Sequence, residues 1–500
     1  MKRLLVKWHN ALGWWALAGI LIWGLSAIAH PVMSWFGPQS VNFFPPRMVF
    51  SPDSIPALSA WGTQPEVLGG AKVIKVVAGE SGPLLQITRD ENHPREYFDL
   101  SASSVLENQD VMQAQWLASY YTGLYKADIV ETYFQTEFSE AYPPVNRLIP
   151  VYRVTFNDKE QTRAYIYTET GALASLSNTF KNNVQWLFQN LHTFRWLDRF
   201  EFGRVIIIVL WMLTLAATAV VGFALVLALK LRKINDSNRR YHRWLAYVLW
   251  LPLLGWSSSG FYHLLQSSLV AAPMGIRLGN PVPIADSLSI NGEGLSTLSQ
   301  YSINDLSLVF YENDHPYWRA SVSPRQSVKT VSRTQRYGGK PTENQSVYIP
   351  ISDSGNEPSL DDQRFVVGLA KRYADVDEKD IGAVSLVTRF GPNYDFRNKR
   401  LPVWKVEIND GSGTWMFIDP RTGILVDQSR TIDRAERWSF SLLHKWNYLT
   451  PFLGRQLRDA VMVITLVFIV LMSGFGAVLL VKRRKKAIKR VSPEAVFLAD

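Results

Sequence analysis

Trp186-Leu-Phe-Gln-Asn-Leu-His192 has a counterpart 252 residues later, Trp438-Ser-Phe-Ser-Leu-Leu-His444, and this pair of phrases decides how the chain is read. In each, Phe precedes His by four residues, so the two rings share one face of a helix. Each phrase is followed by Gly-Arg (Gly203-Arg204, Gly454-Arg455) and a long apolar run. Upstream, His9 and His30 stand 21 residues apart, and so do His242 and His263, displaced by 233. Trp23 matches Trp256 and Ser26 matches Ser259 at that same offset. Val151-Tyr-Arg-Val154 matches Val403-Trp-Lys-Val406, and Thr170-Gly171 matches Thr422-Gly423, both at 252. The chain is therefore two copies of one unit, helix–outer domain–helix, the second outer domain being 19 residues longer. Parallel repeats of this kind predict pseudo-twofold packing about the membrane normal.

Four segments carry no Asp, Glu, Lys or Arg: Ala11–Ala29, Val205–Leu229, Trp244–Tyr262 and Ala460–Val481. Each is close to the roughly 20 residues a helix needs to cross a bilayer, which predicts four transmembrane helices. Pro252 is expected to kink the third rather than end it. Helix 1 is read as a retained span rather than a cleaved signal, because its apolar run exceeds a signal core and helix 3 resembles it. The net charge is +10. Sixteen cations at residues 2–7, 230–243 and 482–490 face three acids (Asp236, Glu494 and Asp500), so these segments carry +13 and the rest −3. That asymmetry follows the positive-inside rule and excludes nucleic-acid binding as the meaning of the basic composition.

The predicted layout is 1–36, cytoplasmic N-terminus and helix 1; 37–203, first outer domain; 204–229, helix 2; 230–243, cytoplasmic loop; 244–265, helix 3; 266–458, second outer domain; 459–481, helix 4; and 482–500, cytoplasmic tail. There is no cysteine, which excludes disulfides, thiol catalysis, iron–sulfur clusters and covalently attached haem.

The outer domains read as α+β. Asp110–Tyr121 and Asp361–Tyr373 have helical periodicity. Alternating stretches predict strands at Ile129–Phe138, Val151–Phe156 and Arg163–Thr168, and again at Gly382–Phe390, Val403–Ile408 and Thr414–Ile418. Further strands are expected near Lys72–Val77, Leu84–Thr88 and Leu306–Tyr311. Pro/Ser-rich stretches at 38–65, 281–300 and 323–346 read as surface loops.

A helix-plus-sheet unit ending in Asp419-Pro420-Arg421-Thr422-Gly423, then the Trp-x-Phe-x-x-Leu-His phrase, Gly-Arg and an apolar span, resembles the PepSY-associated transmembrane helix family. The first copy keeps Thr170-Gly171 but has lost the Asp-Pro. The resemblance covers nearly the whole chain and implies two periplasmic PepSY-like domains on a bacterial inner-membrane anchor. Some members of that family are haem-containing reductases of ferric siderophores, so it implies a possible oxidoreductase in iron acquisition. A non-enzymatic reading, PepSY-like domains binding peptides or peptidases, stays open beside it.

His9, His30, His192, His242, His263 and His444 are the candidate cofactor ligands. A single histidine at headgroup level is explained by amphipathicity alone. Six in register are harder to explain so, because ionisable residues are rare at membrane depth. A hard cation would want carboxylates within the spans, and structural zinc usually recruits cysteine. Non-covalent haem b, needing two imidazoles from facing helices, fits best, with two or more groups expected. A 21-residue separation corresponds to about 31 Å along a helix, so His9 and His242 should share the cytoplasmic side and the other four the outer side. Which histidine partners which is left open. His93 and His315 are expected in solvated turns. No Gly-x-Gly-x-x-Gly or P-loop is present, so quinol or a cytoplasmic reductase is the expected electron donor, and a ferric siderophore or other ferric chelate the acceptor.

Overall fold

The computed structural model describes residues 2–46, 69–100, 104–229, 234–273, 276–279, 296, 298–299, 301–312, 315–323, 345–351 and 359–491. Residues 230–233, the tail from 492, and most of the Pro/Ser-rich stretches (47–65, 281–295, 324–344) lie outside the described residues. The chain divides into a helical unit (Met1–Gly37, Phe180–Ala272, Ala435–Asp500) and a sheet unit (Pro38–Thr179, Pro273–Arg434).

Four long helices build the first unit: α1 (Lys2–Phe36), α4 (Glu201–Ala228), α5 (Ser237–Leu269) and α8 (Thr450–Val491). Three segments are long and apolar enough to cross a membrane: Lys2–Phe36, Arg195–Ala228 and Asn447–Lys486. The fourth expected span lies in α5, which is long but less apolar. Its Ser257 and Ser258 hydroxyls donate back to Leu253 O and Leu254 O at 2.7 and 2.6 Å, a way of carrying hydroxyls on an otherwise apolar helix. Asp236 caps α5 by accepting from Arg239 N–H at 3.1 Å. The helices bury Ile20, Trp23, Met212, Leu215, Leu249, Leu253 and Ile469 against one another.

The sheet unit repeats one motif. A helix, α2 (Gln109–Thr122), packs on the antiparallel sheet β4-β5-β6-β7: Ile129–Gln135, Val151–Phe156, Arg163–Tyr167 and Ala172–Ser177. In the second copy α6 (Asp362–Ala374) packs on β11-β12-β13-β14: Ile381–Val387, Val403–Ile408, Thr414–Asp419 and Ile424–Ser429. Inward residues at helical spacing on α2 (Ala114, Leu117, Ala118, Tyr121) meet alternate residues of the strands (Tyr152, Val154, Phe156, Ala164, Ile166). Each large apolar side chain so buried is worth roughly 1.5–3 kcal/mol. The bulge falls at equivalent places, Tyr165/Ile166 and Phe417/Ile418. Gly171 and Gly423, at φ 66° and 69°, make the turns into the last strands, a left-handed conformation that glycine adopts without steric cost.

A third sheet is common to both copies, in the order β10-β9-β8-β1-β2-β3. β1 (Val73–Ala78), β2 (Pro83–Thr88) and β3 (Glu96–Asp99) come from the first copy, and β8 (Ser302–Tyr311), β9 (His315–Ser323) and β10 (Gln345–Pro350) from the second. The two halves join by β1 and β8, Lys75 lying opposite Ser307.

Several expectations change here. The two outer regions form one unit, because β1–β8 pairing and polar contacts bind them. Residues 180–203, expected in the outer domain, belong to the helical unit. The His192 phrase does not run on into the next helix: α3 (Thr179–His192) ends, Phe194 turns left-handed (φ 53°), and a short 3-10 segment precedes α4. His93 does lie in a turn, held by Asp90, with Nδ1 at 2.7 Å from the carboxylate. His315 instead starts β9 opposite Tyr311, so it belongs to the ladder and not to a solvated turn.

Candidate functional site

The helical unit gathers the six histidines into two groups. At one end His9 of α1 and His242 of α5 face each other, ring centroids 6.0 Å apart and planes inclined by 59°. His242 Nδ1 donates to Met472 O of α8 at 2.9 Å. A carbonyl can only accept, so the proton sits on Nδ1 and Nε2 carries a free lone pair. His9 Nδ1 is buried with no hydrogen-bond partner in the structure. Two glycines make room for the rings. A Cβ on Gly222 would lie 3.5 Å from His9 Cε1, and one on Gly476 only 3.0 Å from His242 Cε1.

At the other end the rings of His192 and His444 lie 6.5 Å apart between centroids, with their planes inclined by 80°. Their settings are copies of each other. Trp23 Nε1 donates to His192 O at 2.8 Å, and Trp256 Nε1 to His444 O at 3.0 Å. The Ser26 hydroxyl donates to Trp23 O and accepts from His192 Nδ1 at 3.0 Å. Ser259 does the same between Trp256 O and His444 Nδ1, 3.2 Å away. One Trp-x-x-Ser face thus grips the backbone of each histidine with its tryptophan and the ring with its serine, leaving Nε2 unengaged. Burial, with His30 adding to it, pushes the His192 imidazole down to about 4. Burial and the neighbouring His192 push His444 down to about 3. Both are neutral near pH 7, the form that binds metals.

His30 and His263 flank this pair. Phe188 stacks on His192 at 4.6 Å and touches His30 at 6.2 Å. Phe440 stacks on His444 at 4.5 Å and on His263 at 4.4 Å. The result is a row of six rings, His30–Phe188–His192–His444–Phe440–His263. His444 closes a single wide turn, Phe440–His444, that follows α7 (Thr431–Ser439). After each inner histidine the chain reverses through a left-handed residue, Phe194 or Trp446, whose ring packs on Trp23 or Trp256.

The residues fit a bis-imidazole iron. His9 with His242, and His192 with His444, are the pairs of neutral imidazoles from separate segments that would hold a non-covalent haem, which would supply one-electron chemistry there. The rings of each pair lie 6.0 and 6.5 Å apart between centroids, and the Nδ1 atoms of three of the four are tied back, which is how protein ligands are oriented. Among the described residues no three His, Cys, Asp or Glu side chains gather to hold a bare ion. The sequence listed all six histidines but left their partners open. The Trp23/Trp256 and Ser26/Ser259 matches were visible at the same offset, with nothing in the sequence to say what they held. No family model matches the chain, and comparison with curated proteins finds no match.

Proposed function

We propose that this protein is a b-type haem protein of the bacterial inner membrane that carries electrons to a ferric chelate outside, in the manner of PepSY-type siderophore reductases. The observation that carries it is the pair of facing histidines at each end of one helical unit, 6.0 and 6.5 Å between centroids. His9 and His242 would hold one group and His192 and His444 another. Bound haem supplies one-electron chemistry at iron. The chain's own part is to present neutral Nε2 atoms, fix the rings through Met472 O, Ser26 and Ser259, and keep the pairs in a water-poor interior. We read all four long helices as spans, with the basic ends of α1, α5 and α8 cytoplasmic. The exposed apolar residues of α5 (Val248, Leu251, Trp244) would then meet lipid.

Expression with ample haem, purification in detergent and a pyridine haemochrome assay should return haem b at about two per chain, one for each facing pair. Absence of a Soret band overturns the reading. A second test uses the glycine cradle. Gly476→Val puts carbon where the His242 ring lies, so haem should fall from two to one per chain while the His192/His444 group stays loaded. Undiminished haem in that variant would show that the His9–His242 pair holds none.

A further inference from the structure

Some of the largest apolar side chains of the helical unit lie on its surface, and they recur at the repeat offset. Trp186 and Trp438, Leu191 and Leu443, and Phe200 and Phe452 are exposed pairs, each 252 residues apart. The two phenylalanines are 72% and 84% exposed, so the fold itself covers almost none of either. On α3, Phe180, Leu187 and Leu191 follow one another at spacings of seven and four, which puts them on one face, and all three are exposed. Phe188 and His192 lie on another face of the same helix, stacked 4.6 Å apart in the ring row. The segment from α7 through the wide turn is sided in the same way. Glu436 is buried, its Oε1 2.5 Å from His263 Nδ1, while Trp438, Leu442 and Leu443 are exposed.

The residues that follow decide what these faces meet. In the stretch 195–204, Trp196, Phe200 and Phe202 are exposed, and so are Asp198, Arg199 and Glu201 between them. Arg204 Nε lies 3.3 Å from Asp198. The uncharged run of α4 begins at the next residue, Val205. In the second copy Tyr448, Phe452 and Leu453 are exposed ahead of Arg455, which lies 3.8 Å from Asp459. The uncharged run of α8 begins at Ala460. Water would leave a contiguous set of large apolar side chains unburied. Hydrocarbon would strip the carboxylates and guanidinium groups of their hydration. The boundary between headgroups and acyl chains suits both, and aromatic rings concentrate there.

We propose that α3 with its 3-10 continuation, and α7 with the turn and loop after it, lie in the plane of the headgroup layer at the His192–His444 end and form an apolar collar seated on phospholipid. Their exposed rings enter the boundary by roughly 5–10 Å, the depth at which amphipathic helices rest. This depends on the long helices being spans and not on haem. The inner sides of the same segments carry Phe188, His192, Phe440 and His444. Contact with lipid therefore fixes the depth of the ring row.

The chain has no cysteine, so single nitroxide labels can be placed through Trp186→Cys, Phe200→Cys, Trp438→Cys and Phe452→Cys. Each full-length variant is put in nanodiscs of phosphatidylethanolamine and phosphatidylglycerol. Collision rates are read with molecular oxygen, which concentrates in hydrocarbon, and with a nickel(II) chelate, which stays in water. Leu213→Cys on the exposed side of α4 is the deep reference, and Lys485→Cys, exposed beyond the apolar run of α8, is the aqueous one. The oxygen-to-nickel ratio at the four collar sites should lie several-fold above that at Lys485 and below that at Leu213. A ratio equal to that at Lys485 places the faces in water. Low collision with both reagents means that protein covers them. Either result overturns the proposal, whereas a Leu213 ratio no higher than that at Lys485 sinks the spanning reading on which it rests. Wild-type protein gives a second measurement, free of substitution. A phospholipid carrying a diazirine near its glycerol backbone should, on illumination, label residues 180–202 and 438–453, and absence of label from both also overturns the proposal.

Discussion

Glu169→Ala lowers the stability of the sheet unit by about 3–5 kcal/mol, the cost of leaving a buried charge without its partner. Glu169 is fully buried and belongs to the first copy. Its carboxylate takes an ion pair from Lys75 Nζ at 2.7 Å and another from Arg400 of the second copy. Arg400 also reaches Asp419 at 3.0 Å, and Asp419 in turn holds Arg421 at 2.9 Å. Burial alone would raise the Glu169 carboxyl, but Arg400 and Lys75 outweigh it and bring it down to about 2. A carboxyl depressed in the folded state stabilises fully above its unfolded value of 4.5. That contribution is lost as pH falls from there towards 2. The shift corresponds to about 3 kcal/mol, in line with the mutational figure. Thermal melts of the full chain between pH 6 and pH 2 check both points, using Glu169→Gln as the variant that keeps shape and removes the titration. If the glutamine variant loses stability with pH as steeply as the wild type, Glu169 does not carry the dependence.

His192→Ala and His444→Ala form the second large effect. On the proposed haem reading, each removes one of the two imidazoles that would hold the group at the flanked end, and a haem left with one of them would be held far less tightly. Each variant should return about half the wild-type haem, with the His9–His242 group intact. Ser26→Ala, which removes the hydroxyl that accepts from His192 Nδ1, should keep its haem but shift the reduction potential, since distal hydrogen bonds tune ligand basicity. Unchanged haem in both histidine variants would show that these rings stay for packing, wedged between Phe188 and Phe440. Loss in His30→Ala or His263→Ala instead would move the ligands outward along the same row.

Local patterning was enough to find most of the elements. Val151–Phe156 and Val403–Ile408 begin and end where alternation places them, because strands with one face buried have strong period-two signals. β3 escapes the same reasoning, being four residues long. β9 and β10 flank a stretch whose composition reads as loop. The shared sheet could not be read locally at all, since β1 pairs with a strand more than two hundred residues away, and such pairing leaves no mark on the nearby sequence. For the site, histidine spacing separates His9 and His242 from the other four. It does not say that His192 meets His444 while His30 and His263 stand outside, because that depends on the chain reversing at Phe194 and Trp446. The Glu436 carboxylate lay in plain view in the sequence but gained meaning only beside the His263 ring it faces.

The strand order β10-β9-β8-β1-β2-β3 reads the same from either end once each strand is replaced by its copy. That is the signature of an isologous interface, the kind a homodimer makes across a twofold axis. Fusion of the two protomers into one gene lifts the constraint such a dimer lives under, that every substitution appears twice. A symmetric ancestor with a carboxylate beside one flanking histidine must have it beside both. The fused chain does not: Val184 stands against Glu436, Lys181 against Asp433, and Glu169 against Arg421. A difference between the two halves, which a symmetric dimer cannot have, is what one continuous chain allows here.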